Sequence, residues 1–457
     1  MLKRMLSAIS AAALTVSLLF SSAAPTASAL VFTPTSTVYS EAAVLLNLDT
    51  DTICYEKNAD KKEMPAMLTQ ILTAVVVLEN CSDLSGTTIT AKEGIFDAFA
   101  DYENPSDLRY AGIEVGDSLT AEDLLYAMLL TSSCEAAVML ANHFGSGNQE
   151  NFVKLMNDKA EALGMKDSRF SNATGLYAAR QVATARDMMT LLKYAMELPR
   201  FEAIACAANY TPSSAAAQEK TEQWAWKHSN VMMESGSEYH CNGVRGIKTG
   251  NLQEGGRCIA CKASRDGNNY LLVCMNAPMT DENGDSKFYH LTDAKGILDW
   301  AFTHLSYQEI LSPNKELDEI LVNNAKGADY VIVRPKTGYS CMWCDTADIS
   351  SVQQVKGWEA STNAPVQAGD KLGVVTLKLS GETLAEIDVI AASTVERSFW
   401  KYNLAEIPGF LHSKHLHNML LWAIILSLVY LGLCIFSALK YRAKHRNARD
   451  AYYANRK

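Results

Sequence analysis

The 457-residue sequence predicts a mixed α/β domain, then a small all-β domain, then one C-terminal transmembrane helix. Three observations carry that prediction. Between residues 30 and 305, segments with apolar residues at three- and four-residue spacing alternate with short strand-like runs. Between 306 and 400 the helical spacing stops, and short strands separated by turns take over. Residues 419–438 (MLLWAIILSLVYLGLCIFSA) carry no charge, and about twenty residues at about 1.5 Å each cross a bilayer.

In the first domain, residues 41–49 and 52–56 read as two short strands around the Asp49-Thr50-Asp51 turn. Residues 68–78 (LTQILTAVVVL) are almost wholly apolar, with Pro65 just before them, and predict a buried helix. Another opens at Ala121 behind Thr120, a good N-cap. Further helices are predicted over 132–143, 149–163 and 184–195, and a closing one near 293–304. Residues 256–263 and 269–277 read as paired strands around Arg265-Asp-Gly-Asn. The second domain shows Tyr330-Val-Ile-Val, Val374-Val-Thr-Leu-Lys-Leu and Ile387-Asp-Val-Ile-Ala, with turns at Ala368-Gly-Asp and Ser380-Gly-Glu. Residues 401–418 are expected to be a juxtamembrane link.

The two ends set the compartment. Met1-Leu-Lys-Arg, an apolar run and the small residues Ala27-Ser-Ala29 make a secretory signal peptide over 1–29, the alternative being an uncleaved anchor. The basic residues of 439–457 follow the apolar run at once and mark a cytoplasmic tail. This places the chain at the cell membrane, single-pass, with an extracellular ectodomain. Lys3 and Arg4 contribute +2 and the tail +6 to a net charge of −10, so the part between them carries −18. That balance argues against nucleic-acid binding. A hydrophobic fraction of 48% excludes a largely disordered chain.

Eleven cysteines are scattered through the chain. Cys258 and Cys261 fall in a strand with side chains on opposite faces. Cys341-Met-Trp-Cys344 is a better candidate for a local disulfide or a metal pair, but no second pair stands at zinc-site spacing.

Lys248-Thr249-Gly250 lies in Gly243-Val-Arg-Gly-Ile-Lys-Thr-Gly-Asn. The hairpin from 244 to 263 resembles the substrate-edge hairpin of serine D-alanyl-D-alanine carboxypeptidases, the low-molecular-weight penicillin-binding proteins. Tyr55-Glu-Lys-Asn-Ala-Asp-Lys and Met64-Pro-Ala-Met-Leu-Thr-Gln-Ile-Leu-Thr-Ala resemble the lead into that family's nucleophile helix. Phe170-Ser-Asn-Ala-Thr-Gly-Leu, Ala183-Thr-Ala-Arg-Asp-Met and Ala364-Pro-Val-Gln-Ala-Gly-Asp-Lys-Leu-Gly are similar to three more of its blocks. The resemblance covers about 38–395. It implies the penicillin-recognising, β-lactamase/transpeptidase-like fold, with a central antiparallel sheet and helices on both sides. It implies peptidoglycan stem peptide as ligand, no cofactor and no metal.

The family uses S-x-x-K, S-x-N and K-T-G motifs: a serine nucleophile, a lysine one turn later that takes its proton, and a substrate edge. Here the first motif falls on Met67-Leu68-Thr69-Gln70. A thioether has no proton to lose, and an amide is no base. No S-x-x-K string lies near this helix. The second motif is Ser132-Ser133-Cys134, and only Lys248-Thr249-Gly250 is whole. No catalytic residue is therefore expected to be intact. Ser132, Cys134, Lys248, Thr249 and Gly250 remain candidates for ligand binding. The leading expectation is a non-catalytic binding or scaffolding protein of cell-wall metabolism. One alternative is a carboxypeptidase with Ser132 or Cys134 as nucleophile, the thiol activated by the nearby Lys248 ammonium. Another is an interaction protein with a closed groove.

Overall fold

The computed structural model describes residues 32–215 and 218–454. The signal-peptide prediction for 1–29 lies outside the described residues. The chain divides into two compact units.

The first unit is built on five strands: β1 (Ala42–Asn47), β2 (Thr52–Lys57), β3 (Val244–Leu252), β4 (Gly256–Arg265) and β5 (Asn268–Ala277). Their order is β2-β1-β5-β4-β3, and every pairing is antiparallel. The sheet is covered on both faces, so β1 is buried at all six positions, as a doubly covered strand must be. Ala42, Val44 and Leu46 enter one core, and Ala43 and Leu45 the other. Cys258 and Cys261 divide the same way, as three-residue spacing on a strand requires.

Helices α1 (Thr69–Asn80), α2 (Ala121–Thr131), α3 (Cys134–Phe144), α4 (Gln149–Ala162) and α5 (Ala185–Glu197) supply side chains to the larger core. Helix α6 (Tyr289–His304) covers the other face through Leu291, Ala294, Ile297, Leu298 and Ala301. Residues 69–77 of α1 are buried on every side, which explains an apolar run with little periodicity. The predicted N-cap is present. Thr120 Oγ1 accepts from Asp123 N at 3.1 Å and Asp123 returns the bond, closing a capping box. The helix expected from Ser132 begins at Cys134 instead. Ser132 is left-handed, with φ 66°, and Ser133 caps α3 by accepting from Ala136 N at 3.0 Å.

The second unit holds β6 (Asp318–Asn323), β7 (Tyr330–Pro335), β8 (Gln353–Trp358), β9 (Ser361–Asn363), β10 (Lys371–Leu379) and β11 (Glu382–Ala391) in the order β8-β10-β11-β7-β6-β9. Only the β6–β9 pairing is parallel. The expected boundary at 305/306 is not a clean cut, because Ser340–Val352 packs with the first unit, where Trp343 meets Phe32 edge-on. Strand Tyr339–Cys344 carries Cys341 and Cys344, and the Cys344 thiol lies 3.1 Å from Thr346 Oγ1. No group of three His, Cys, Asp or Glu that could hold a metal occurs among the described residues.

The stretch expected to be a link is largely helical. Helix α7 (Phe399–Leu411) is capped by Ser398, and α8 (Lys414–Ala454) follows after two residues. Within α8, Lys414–Asn447 is long and apolar enough to cross a membrane.

Candidate functional site

The site forms where the start of α1, the α2–α3 turn and strand β3 converge. Ala66, Met67 and Leu68 make a tight 3-10 turn leading into α1. Two glycines permit the approach of neighbouring chain. A Cβ on Gly250 would lie 3.1 Å from Met67 N and 3.2 Å from Ala66 Cβ. Gly175 has φ +85°, and a Cβ there would lie 2.3 Å from the Ala66 carbonyl oxygen. The Lys-Thr-Gly strand and the Asn-Ala-Thr-Gly loop thus clamp the helix start from two sides.

Gln70 is fully buried and acts as a structural staple. Its Nε2 donates to the Ser132 carbonyl at 3.1 Å and to the Thr174 carbonyl at 2.9 Å. One turn further, Thr73 Oγ1 donates to the Ala173 carbonyl at 2.8 Å. Two segments distant in sequence are therefore held by side chains of one helix. The Gln70 Oε1 atom is buried without a partner.

Strand β3 pairs Lys248 with Ala260, Thr249 with Ile259 and Gly250 with Cys258. The alternation of a strand turns Lys248 and Gly250 inward and Thr249 towards the groove. Lys248 is completely buried. Its Nζ donates to Ser132 Oγ, and to the Thr249 carbonyl at 2.9 Å. Burial pushes its ammonium down to about 7. Thr249 Oγ1 lies 2.6 Å from Ser229 Oγ.

These residues surround a groove of about 200 Å³, lined by Met67, Arg109, Ser132, Ser229, Thr249 and Gly250, with Asn251, Arg257 and His290 beyond. No Asp or Glu lines it, so it is a cationic recess in a chain of net charge −10. Three buried polar atoms in it have no partner: Asn251 Oδ1, Arg257 Nε and His290 Nδ1. Buried polar groups in folded proteins are almost always paired. All three belong to residues that line the same recess.

Cys134 departs from expectation. It is fully buried and does not line the groove. Burial pushes its thiol up to about 11, outweighing the nearby Lys248. It is a packing residue of the larger core, and a reactive thiolate is not available there. Lys248 also differs from the picture of an ammonium presented to a ligand, since its nitrogen is turned inward on Ser132.

Sequence reading missed Arg109, Ser229, Asn251, Arg257 and His290. Asn251 pairs with Arg257 across the hairpin, and Gly255-Gly256 marks its turn, so that pair follows once the register is drawn. Nothing local marks the other three.

A family model described as D-alanyl-D-alanine carboxypeptidase matches residues 27–279, more than half of the chain. The chain belongs to the D-alanyl-D-alanine carboxypeptidase family. A second model, the C-terminal domain of penicillin-binding protein 5, matches residues 306–397. Among curated carboxypeptidases, the chain is 27% identical to D-alanyl-D-alanine carboxypeptidase DacF of Bacillus subtilis over 362 residues, covering 78% of this chain and 86% of that protein. It is 31% identical to the D-alanyl-D-alanine carboxypeptidase of Streptomyces sp. K15 over 228 residues, 49% of this chain and 75% of that one. Among solved structures, the carboxypeptidase DacD of Francisella tularensis shares the fold with a TM-score of 0.58 at 21% identity, over 81% of this chain and 97% of that one. Penicillin binding protein 5 of Haemophilus influenzae gives 0.54 at 22%, over 80% and 100%. The two family models thus cover residues 27–279 and 306–397, and the helix start within the first reads Met67-Leu68-Thr69-Gln70.

Proposed function

We propose that this chain is a cell-surface protein of peptidoglycan metabolism that binds stem peptide and does not cleave it. The observation that carries the reading is the start of α1. Met67 offers no ionisable nucleophile, and both N–H groups of Gln70 are committed to main-chain carbonyls. Nucleophile and base act as a unit, so losing both removes essentially all acyl transfer through that motif. The frame around them persists, and the groove keeps Thr249, Arg109 and Arg257 on its wall. A terminal carboxylate suits such a lining. The apolar length of α8 supports anchoring in a membrane, and the basic residues after 439 support a cytoplasmic C-terminus.

The test is calorimetric titration of the detergent-solubilised full chain with a stem pentapeptide ending in D-Ala-D-Ala, with free D-alanine measured in parallel. Saturable binding without D-alanine release is the expected result. Release of D-alanine overturns the reading. Absence of binding favours a second reading, an interaction protein with a closed groove. That reading draws on the groove volume of about 200 Å³, below the roughly 300 Å³ at which small-molecule sites usually begin.

A further inference from the structure

Loss of the first motif leaves one hydroxyl in the groove in direct contact with an amine. Ser132 Oγ accepts from Lys248 Nζ. The seryl side chain lines the groove beside Met67 and Arg109. Its backbone, at φ 66°, is the left-handed C-cap of α2. Behind it, Lys248 is enclosed, and its only acceptors among the described residues are Ser132 Oγ and the Thr249 carbonyl. No carboxylate pairs with it among those residues.

The titratable groups around Lys248 are Cys134 from α3, Arg109 from the preceding loop and His228 from the segment before β3. Burial keeps the first a thiol, pushed up to about 11, and holds His228 neutral, pushed down to about 4. Neither supplies an anion that would hold the proton on Lys248. With its own value about 7, a large share of Lys248 is free amine at neutral pH. As free amine it accepts the Ser132 proton across the contact that it now donates.

We propose that Ser132, with Lys248 as its base, captures activated acyl groups that enter the groove and holds them as a serine ester. In the step, Ser132 Oγ forms a bond to the acyl carbon while its proton passes to Lys248 Nζ. The bond from the acyl carbon to the leaving group then breaks, and the leaving group departs with the proton from Lys248. Arg109 on the groove wall supplies positive charge for the developing oxyanion. The reacting class is a thioester or similarly activated carbonyl, whose leaving group needs little assistance. A peptide amide is not in that class, so the capture stands apart from stem-peptide binding and adds to it.

The experiment incubates the detergent-solubilised full chain with a small acyl thioglycolate thioester. It follows intact mass and maps the adduct by tandem mass spectrometry. The expected result is one acyl group per chain as an ester on Ser132, formed faster as pH rises through about 7. Ser132→Ala abolishes this ester, and Lys248→Met slows it by about 100-fold or more. Cys134→Ala leaves it unchanged. An unmodified Ser132, or an acylation rate on Ser132 independent of Lys248 and of pH, overturns the proposal. Circular dichroism melting of each variant separates lost chemistry from lost fold, and the pH profile of the native chain needs no variant. Stem-peptide binding is read separately by titration, so either reading can fail alone.

Discussion

Gln70 donates to the main-chain carbonyl of Ser132 at 3.1 Å. The residue at the expected base position thus bonds directly to the residue that opens the second motif. The same amide reaches Thr174 at 2.9 Å, so Gln70 ties three segments together.

Replacing that tie destabilises the fold. Gln70→Leu keeps the approximate bulk and leaves the Ser132 and Thr174 carbonyls buried and unpaired. Each of the two orphaned acceptors costs about 1–3 kcal/mol, so a loss of about 2–6 kcal/mol is expected in urea denaturation. Gln70→Glu is expected to be worse, because it places carboxylate oxygens against two carbonyls. A Gln70→Glu variant as stable as the native chain contradicts the bonding described.

Restoring the first motif tests whether its two positions decide activity, with Cys134 still standing in place of the second motif's asparagine. Met67→Ser alone is expected to release no D-alanine from stem pentapeptide, because Gln70 cannot take the serine proton. The double variant Met67→Ser with Gln70→Lys is expected to release it. An inactive but folded double variant means that the groove has lost more than its nucleophile and base.

If the groove takes an anion, Arg257 is one of its two lining arginines; its Nη1 and Nη2 also donate to the Lys287 carbonyl and to Ser286 Oγ. It is nearly buried, has no acidic partner among the described residues, and lies 4.1 Å over the Phe288 ring. A hydrogen bond to a charged group contributes about 1.5–3 kcal/mol, so Arg257→Met is expected to weaken stem-peptide binding by roughly 10- to 150-fold. An equal affinity in native and variant titrations excludes this role.

Lys248 gives stability a pH dependence of definite sign. Its value falls from 10.5 in the open chain to about 7 in the fold. Between those values the unfolded state binds more protons, so this group makes stability rise with pH and lowers it as pH falls. His228 and His290, pushed down to about 4 and about 3 by burial, extend the same trend below about 6.5. Melting temperatures of native chain and Lys248→Met, measured from pH 6 to 10, should differ in slope, with the variant flatter. Parallel curves contradict a buried, unpaired lysine.

The sequence made the frame legible wherever a local rule decides structure. Thr120 and Thr184 announce α2 and α5 by capping chemistry. The Asp266-Gly267 pair announces the turn between β4 and β5. The Met67 and Gln70 substitutions were legible because the motif has fixed spacing. The second role of Gln70 was not, since its acceptors lie 62 and 104 residues away. Cys134 misled for a related reason. Proximity to Lys248 argues for an acidic thiol, and only the depth of burial, a tertiary property, reverses the sign. Residues 401–418 are expected to be a link, and they contain Pro408 and Gly409. Helix α7 nevertheless runs through Pro408, and its apolar residues find no cover in the described fold.

Those apolar residues support the last prediction. Phe399, Trp400, Leu404, Ile407, Phe410 and Leu411 of α7 are all exposed. At about 100° per residue they fall on one side of the helix, with Lys401 and Glu406 on the other. The membrane-spanning segment begins a few residues later. Trp and Phe at that distance from a span suit the headgroup layer, where an amphipathic helix lies flat. A chain ending at His412, which lacks the span, is therefore expected to float with lipid vesicles, whereas a chain ending at Arg397 is not. Trp400→Glu combined with Phe410→Glu should abolish flotation of the longer piece. If the His412 truncation stays with the soluble fraction while remaining folded, α7 is not a membrane-surface helix and its apolar side awaits a protein partner instead.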